Sequence, residues 1–368
     1  MTSIVSSAIT SSNWDISTSG LGAAASCPPS STSLNFLVAI TTANLRFYTA
    51  AVLRLTRLEI PTIGTGGYAT VEVGRMANNQ LVAVKRSRIL SQPLATDHGN
   101  AFRKHLDQLC LELRILSHTK LRKHSNILNI LGLCVDEHTG QPSLSLVLEY
   151  SSLGSLSSFL RDRQGSISAS DHVDLAFQTA QGLAALHELQ ICHGDVKTQN
   201  ILVFLEEEKW IVKLSDFGQS TIAVRDSPST TVECKIGTRL LNAPEIRNGL
   251  AMNDPSFDID AAMRTDIFSF GLMIWEVLKN GRSFFDRSWM ITGTDKTDVE
   301  QMEAYLNSLP PNGVYHYSLA FLDSLDLDIP NQGRLSAVFE CSLQDEPQRR
   351  AGILTLTKIL DCRNDIQE

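Results

Sequence analysis

His193-Gly-Asp-Val-Lys-Thr-Gln-Asn200, HGDVKTQN in one-letter form, follows a stretch with helical spacing of apolar residues and precedes the apolar run Ile201-Leu-Val-Phe-Leu205. An imidazole, a carboxylate, an amine and a carboxamide thus share one short connection between two regular elements. What chemistry they serve depends on the motifs before and after them.

The chain around this loop has 368 residues, 43% hydrophobic and 20% charged, an ordinary soluble composition with length for one large domain or two small ones. Its net charge of -8 offers no basic field, so nucleic acid is not an expected partner. Seven scattered cysteines form neither a CxxC pair nor a Cys/His cluster, which argues against zinc and against a disulfide framework. A reducing compartment fits, and with no basic segment followed by an apolar one at the N-terminus the expectation is cytoplasm or nucleus. Residues 1–56, rich in Ser, Thr and Ala over their first half, are expected to form a disordered or weakly structured extension. Within it, 34–53 is long enough to span a membrane, but Asn35, Asn44 and Arg46 interrupt it, so a packed or amphipathic segment is expected and membrane association is not.

From residue 57 the pattern turns to short β-like runs separated by Gly-Gly and Asn-Asn turn signals. Gly64-Thr-Gly66-Gly67 lies in the first turn, where glycines let backbone N–H groups approach phosphate oxygens. A dinucleotide fingerprint would need a helix next; β-like Val71-Glu-Val-Gly74 follows instead, which removes the Rossmann reading. Val82-Ala-Val-Lys85 then places Lys85 at the end of an alternating strand. In the next segment Phe102, Leu106, Leu109, Leu113 and Leu116 recur at three- and four-residue steps, predicting a helix with Glu112 beside its apolar stripe.

Downstream come His124-Ser-Asn-Ile-Leu128, HGDVKTQN, Asp216-Phe-Gly218, Ala243-Pro-Glu245 and the apolar Asp266–Leu278 stretch. In this order the motifs resemble the protein kinase superfamily over about residues 57–365. The resemblance implies an α+β, two-lobe fold: a small antiparallel β-sheet lobe over 57–148, a hinge over 149–151 and a mainly helical lobe over 152–365. It implies ATP and Mg²⁺ in the cleft and a protein substrate. By the same resemblance Asp195 would accept or orient the substrate hydroxyl proton and Lys197 would neutralise charge on the γ-phosphate. Lys85 would grip the α- and β-phosphates with Glu112 holding it, and Asn200 and Asp216 would carry the metal. Ile63, Gly64, Gly66, Gly67, Val71, Ala83 and Leu202 would line the nucleotide site, Glu149 and Ser151 would offer hinge backbone, and Leu116, Ile130, His193 and Phe217 would stack as a spine between the lobes.

Three positions depart from the family pattern. Ala69 replaces the third loop glycine, Gly194 replaces the arginine usual before the catalytic aspartate, and Arg349 competes with Arg350 as partner of Glu245. Spacing from Pro347 favours Arg350. Without the arginine, activity is not expected to depend on a phosphate held by it. Two rivals follow: a small-molecule phosphotransferase of the aminoglycoside or choline kinase type, which often shows H-G-D, and a pseudokinase scaffold. Lys197, the long segment 219–242 and the Gly237–Glu245 platform speak against the first; Lys85, Asp195, Asn200 and Asp216 together speak against the second. Lys197 and Thr238 resemble the serine/threonine pattern, so Ser/Thr hydroxyls are the expected acceptors.

Overall fold

The structure is a computed structural model that describes residues 45–49, 54–55, 64–65, 69–87, 99–136, 143–223, 237–249, 257–286 and 297–362. The first lobe is a mixed sheet of seven strands: β1 (Arg46–Thr49), β2 (Arg54–Leu55), β3 (Gly64–Thr65), β4 (Ala69–Arg75), β5 (Leu81–Ser87), β6 (Ile130–Asp136) and β7 (Ser143–Glu149). The order is β1-β6-β7-β5-β4-β2, with β3 also on β4. Alternation on β5 decides which residues meet the cleft: Val82 and Val84 pack with Cys134 and Val147 on one face, leaving Ala83 and Lys85 on the other. The β4–β5 turn is closed by Asn79 at φ 69°, a left-handed conformation that asparagine tolerates.

Two strands lie before residue 57, inside the expected weakly structured extension. Arg46–Thr49 pairs in parallel with Gly132–Val135, and Arg54–Leu55 pairs with Gly74–Arg75. Ordering comes from partners distant in sequence: a Cβ at Gly132 would lie 2.4 Å from the Arg46 carbonyl oxygen and 2.5 Å from the Tyr48 ring, so only glycine admits β1 there. The sheet lobe therefore begins earlier than the motif pattern indicates.

Helix α1 (Gly99–Ser117) packs the expected stripe inward, with Leu106, Leu109, Leu113 and Leu116 all buried; the Phe102 side chain lies outside the described residues. The second lobe contains α2 (Leu156–Asp162), α3 (Ala169–Glu188), α4 (Pro244–Arg247), α5 (Ile259–Leu278), α6 (Asp298–Ser308), α7 (Gly313–Asp323), α8 (Ile329–Ser342) and α9 (Ile353–Leu360). Of the two serines at its start, Ser168 and not Ser170 caps α3: the Ser168 side chain accepts from the Asp171 N–H while Asp171 reaches back to the Ser168 backbone. That reciprocal pairing requires an acidic residue three positions on, which Ser170 lacks. Helix α5 is buried on nearly every side, with Trp275 packed among Phe284, Phe321 and Phe339. No helix among the described residues is long and apolar enough to cross a membrane.

Four short strands position the central loop: β8 (Ile191–Cys192), β9 (Ile201–Glu206), β10 (Lys209–Leu214) and β11 (Thr221–Ile222). The antiparallel pairs β9–β10 and β8–β11 bring residues 193–200 against residues 215–220.

Candidate active site

Lys85 Nζ, on the cleft face of β5, donates to Glu112 Oε1 at 2.8 Å and Oε2 at 2.9 Å, and to Asp216 Oδ1 at 2.8 Å. Burial alone would lower the ammonium's pKa, but the two carboxylates outweigh it and hold Lys85 above the ordinary lysine value. Lys85 in turn pulls Asp216 below the usual carboxylate range. Glu112 is shut away at 4% exposure, whereas the Asp216 side chain is 52% exposed and opens on the cleft. The triad thus joins β5, α1 and the turn after β10. Asp216 sits at φ 62°, and the reversal it makes sends Phe217 into the core, fully buried and 5.3 Å from the His193 ring.

Asp195 is the hub of the central loop. Its Oδ1 accepts from the N–H and hydroxyl of Thr238, each at 2.8 Å, and its Oδ2 accepts from Lys197 Nζ at 2.6 Å and Asn200 Nδ2 at 2.9 Å. Lys197 also reaches the Thr238 hydroxyl at 2.7 Å. Asn200 Nδ2 further binds the Asp195 carbonyl at 2.9 Å, so the carbonyl oxygen of its amide is what it has to offer a cation. Asn200 and Asp216 supply hard oxygen donors that fit Mg²⁺. Among the described residues there is no cluster of three His, Cys, Asp or Glu that could hold a metal alone.

The loop is suspended from α5. Asp266, about two turns into that helix, accepts from the His193 N–H at 2.7 Å, the Gly194 N–H at 2.9 Å and His187 Nε2 at 2.9 Å. Burial would raise this carboxyl; His187 and the Gly194 N–H more than offset it and leave it below the usual range. His193 Nε2 lies 3.2 Å from the Ser215 carbonyl, and its Nδ1 accepts the Asp195 N–H at 3.3 Å. Leu116, Ile130 and Phe217 share one apolar cluster, and the His193 ring lies beside Phe217.

Gly194 explains itself only in three dimensions. Its φ is +76°, and a Cβ would lie 2.5 Å from the Gln219 carbonyl oxygen. Across the loop, Gly237 is so close that a Cβ there would lie 2.3 Å from the Gly194 carbonyl. A side chain at 194 would have to displace the Gln219 backbone. The other ambiguous position resolves in favour of Arg350, which is 2% exposed and forks onto Glu245 at 2.6 and 2.8 Å. Its Nε donates to the Gln344 carbonyl at 2.7 Å. Arg349 pairs with Glu346 in solvent.

Val71, Ala83, Leu148 and Leu202 belong to the same apolar cluster as Phe217. Gly64 pairs with Val71 at the hairpin. Ile63, Gly66 and Gly67 lie outside the described residues, as does the Ser/Thr stretch 227–231. The Glu149 carboxylate is held by the Asn129 N–H at 2.7 Å and Lys213 at 3.0 Å, and the Ser151 hydroxyl by Val203 and Gly154. The Glu149 N–H is likewise committed, to the Asn129 carbonyl at 3.1 Å.

Two contributors escaped the sequence reading. Glu276 of α5 accepts from the Thr198 hydroxyl at 3.0 Å, bracing the loop's buried midpoint. The available signal was a lone carboxylate in an apolar helical run, which must find a donor when buried. Thr238 was noted for acceptor preference; its two bonds to Asp195 were not.

A family model described as the protein kinase domain matches residues 58–359. The chain is 31% identical over 218 residues to the probable serine/threonine-protein kinase drkC of Dictyostelium discoideum, covering 59% of this chain and 25% of that protein. It is 30% identical over 222 residues to wall-associated receptor kinase-like 14 of Arabidopsis thaliana, 59% of this chain and 27% of the other. Against human serine/threonine-protein kinase A-Raf it is 30% identical over 216 residues, 59% and 31% of the two chains. The chain therefore spans under a third of these relatives' lengths. With the match over most of its length and the two-lobe arrangement around Lys85, Asp195 and Asp216, this chain belongs to the protein kinase family.

Proposed function

We propose that the domain transfers the γ-phosphate of ATP to serine and threonine hydroxyls of protein substrates, in a reducing compartment such as cytoplasm or nucleus. The observation that carries this reading is the closed set Asp195–Lys197–Thr238, in which the carboxylate and the amine of the central loop share one threonine of the downstream segment. Phosphoryl transfer asks the protein mainly for alignment and charge neutralisation. Asp195 orients the attacking hydroxyl and takes up its proton on a carboxylate oxygen. Lys197, 2.6 Å from that carboxylate, is placed to balance charge that develops on the transferred group. Lys85, fixed by Glu112, holds the phosphate chain. Mg²⁺, when bound by Asn200 and Asp216, supplies further neutralisation of the phosphates. The Glu245–Arg350 fork anchors the segment that would support a peptide. Drawing Asp195 into a threonine–lysine bridge favours a peptide hydroxyl over a small alcohol, although Gly194 alone is shared with small-alcohol kinases.

The test is Mg-ATP turnover by the full chain, with a generic basic protein and a panel of small alcohols and aminoglycosides as acceptors and Asp195→Asn as control. Phosphoserine and phosphothreonine on protein, lost in the control, is the expected result. Transfer to a small alcohol alone, or ATP binding without transfer, would overturn the reading.

A further inference from the structure

On the side of the sheet lobe away from the catalytic residues, a cavity of about 410 Å³ lies between the start of β1, the β4–β5 turn and the loop after α1. Arg46, Arg122 and Lys123 line it, and no Asp or Glu does. Among the described residues none of these three cations is in an ion pair, although Arg122 is half-buried. By contrast Arg86, also half-buried, is matched by Glu72 at 3.1 Å. The neighbouring acid, Glu149, is taken by Lys213 and the Asn129 N–H. Asn78, Gln80, Asn129 and Tyr48 add amide and hydroxyl groups that can donate hydrogen bonds, and Met76, Ile130 and Leu131 form the apolar part of the lining.

We infer that this cavity is a binding site for a phosphorylated serine or threonine presented by an extended peptide segment. Three unmatched cations beside neutral donors suit a dianion with three acceptor oxygens. At ~30 Å³ per water the space equals roughly a dozen waters, more than a bare phosphate fills, so the residue that carries it fits as well. The peptide's main chain also has a place to lie. Strand β1 is the edge of the sheet, and among the described residues its outer side is unpaired. Arg46 and Tyr48 share the face of β1 that lines the cavity, while Phe47, 42% exposed, takes the opposite face. An extended segment added to β1 would thus run past the cations, the arrangement by which sheet edges capture peptides. Gly132 keeps the cavity wall in place by admitting the Tyr48 ring. The inference does not rest on phosphoryl transfer, since Lys85, Asp195, Asn200 and Asp216 do not line the cavity.

The experiment measures fluorescence anisotropy of a short, β-prone peptide with one phosphoserine, and its unphosphorylated twin, on phosphatase-treated full chain. The phosphorylated form should bind at least about tenfold more tightly, and more weakly as salt rises. Arg122→Gln with Lys123→Gln should remove that preference, Lys123→Gln alone should reduce it, and Lys209→Gln and Asp195→Asn should keep it. Melting temperatures check that the variants fold; Lys123 is exposed, so its single variant remains informative if the double one does not fold. Equal binding of the two peptides, an unchanged preference in the folded Lys123 variants, or binding only of inorganic phosphate would overturn the inference. Binding of anionic vesicles without phosphopeptide preference would overturn it equally.

Discussion

Gly194→Ala isolates what the unusual central loop does. At φ +76° any side chain carries the left-handed cost of about 1–2 kcal/mol. The added Cβ would also stand 2.5 Å from the Gln219 carbonyl oxygen, where ordinary contact begins at 3.4 Å, so one segment must give way by about 0.9 Å. Overpacking of this kind costs about 1–3 kcal/mol, which brings the expected loss to about 2–5 kcal/mol. The segment displaced is the turn that begins at Asp216, and a shift near 1 Å in catalytic groups reduces rates on the order of 10²-fold. Gly194→Arg should behave no better, because the Cβ and not the missing charge sets the penalty. Urea unfolding at constant slope and Mg-ATP turnover on a basic protein measure the two effects. An alanine variant within about 0.5 kcal/mol of the parent and equally active, or an arginine variant with higher activity, would refute the reasoning.

Replacing the fully buried Arg350 by alanine breaks its fork onto the half-buried Glu245 and should cost about 3–5 kcal/mol, while Arg349→Ala should stay within about 0.5 kcal/mol; chemical denaturation compares them. Burial pushes the Glu276 carboxyl up to about 7, against opposing bonds from Thr198 and the Phe284 N–H. The folded state therefore holds a proton there that the unfolded state has released above its ordinary value of 4.5, so stability is highest below that value and declines as pH rises towards 7. At about 1.36 kcal/mol per pKa unit the decline is of order 3 kcal/mol, and Glu276→Gln, which keeps a hydrogen-bond acceptor, should flatten it in unfolding curves across that range. Asp216→Asn should abolish Mg-dependent turnover with the fold intact by circular dichroism; a retained rate would remove Asp216 from the metal site.

Much of the architecture was legible because its signals are local. Alternation identified β4 and β5, three- and four-residue steps identified α1 and α3, and an apolar run identified α5, all set by which face of an element must leave water. The motif order from Lys85 to Glu245 placed the site residues because their types follow from handling phosphate and a hard cation. Local signals also preferred Arg350 by spacing, and the buried fork onto Glu245 agrees.

What only the tertiary structure decided depends on neighbours far along the chain. β1 is a strand because β6, some ninety residues later, offers Gly132; nothing in Arg46–Thr49 itself announces that partner. Gly194 reads in sequence as a lost cation, yet in space it is a point where two backbones meet, and the same holds for Gly237. Glu276 and Thr198 find each other through burial across 78 positions. Arg46, Arg122 and Lys123 have no sequence signal that joins them until the sheet brings them to one cavity. The sequence determines which faces must be buried and which groups can do chemistry; close approach between distant segments is a property of packing, and there the structure alone decides.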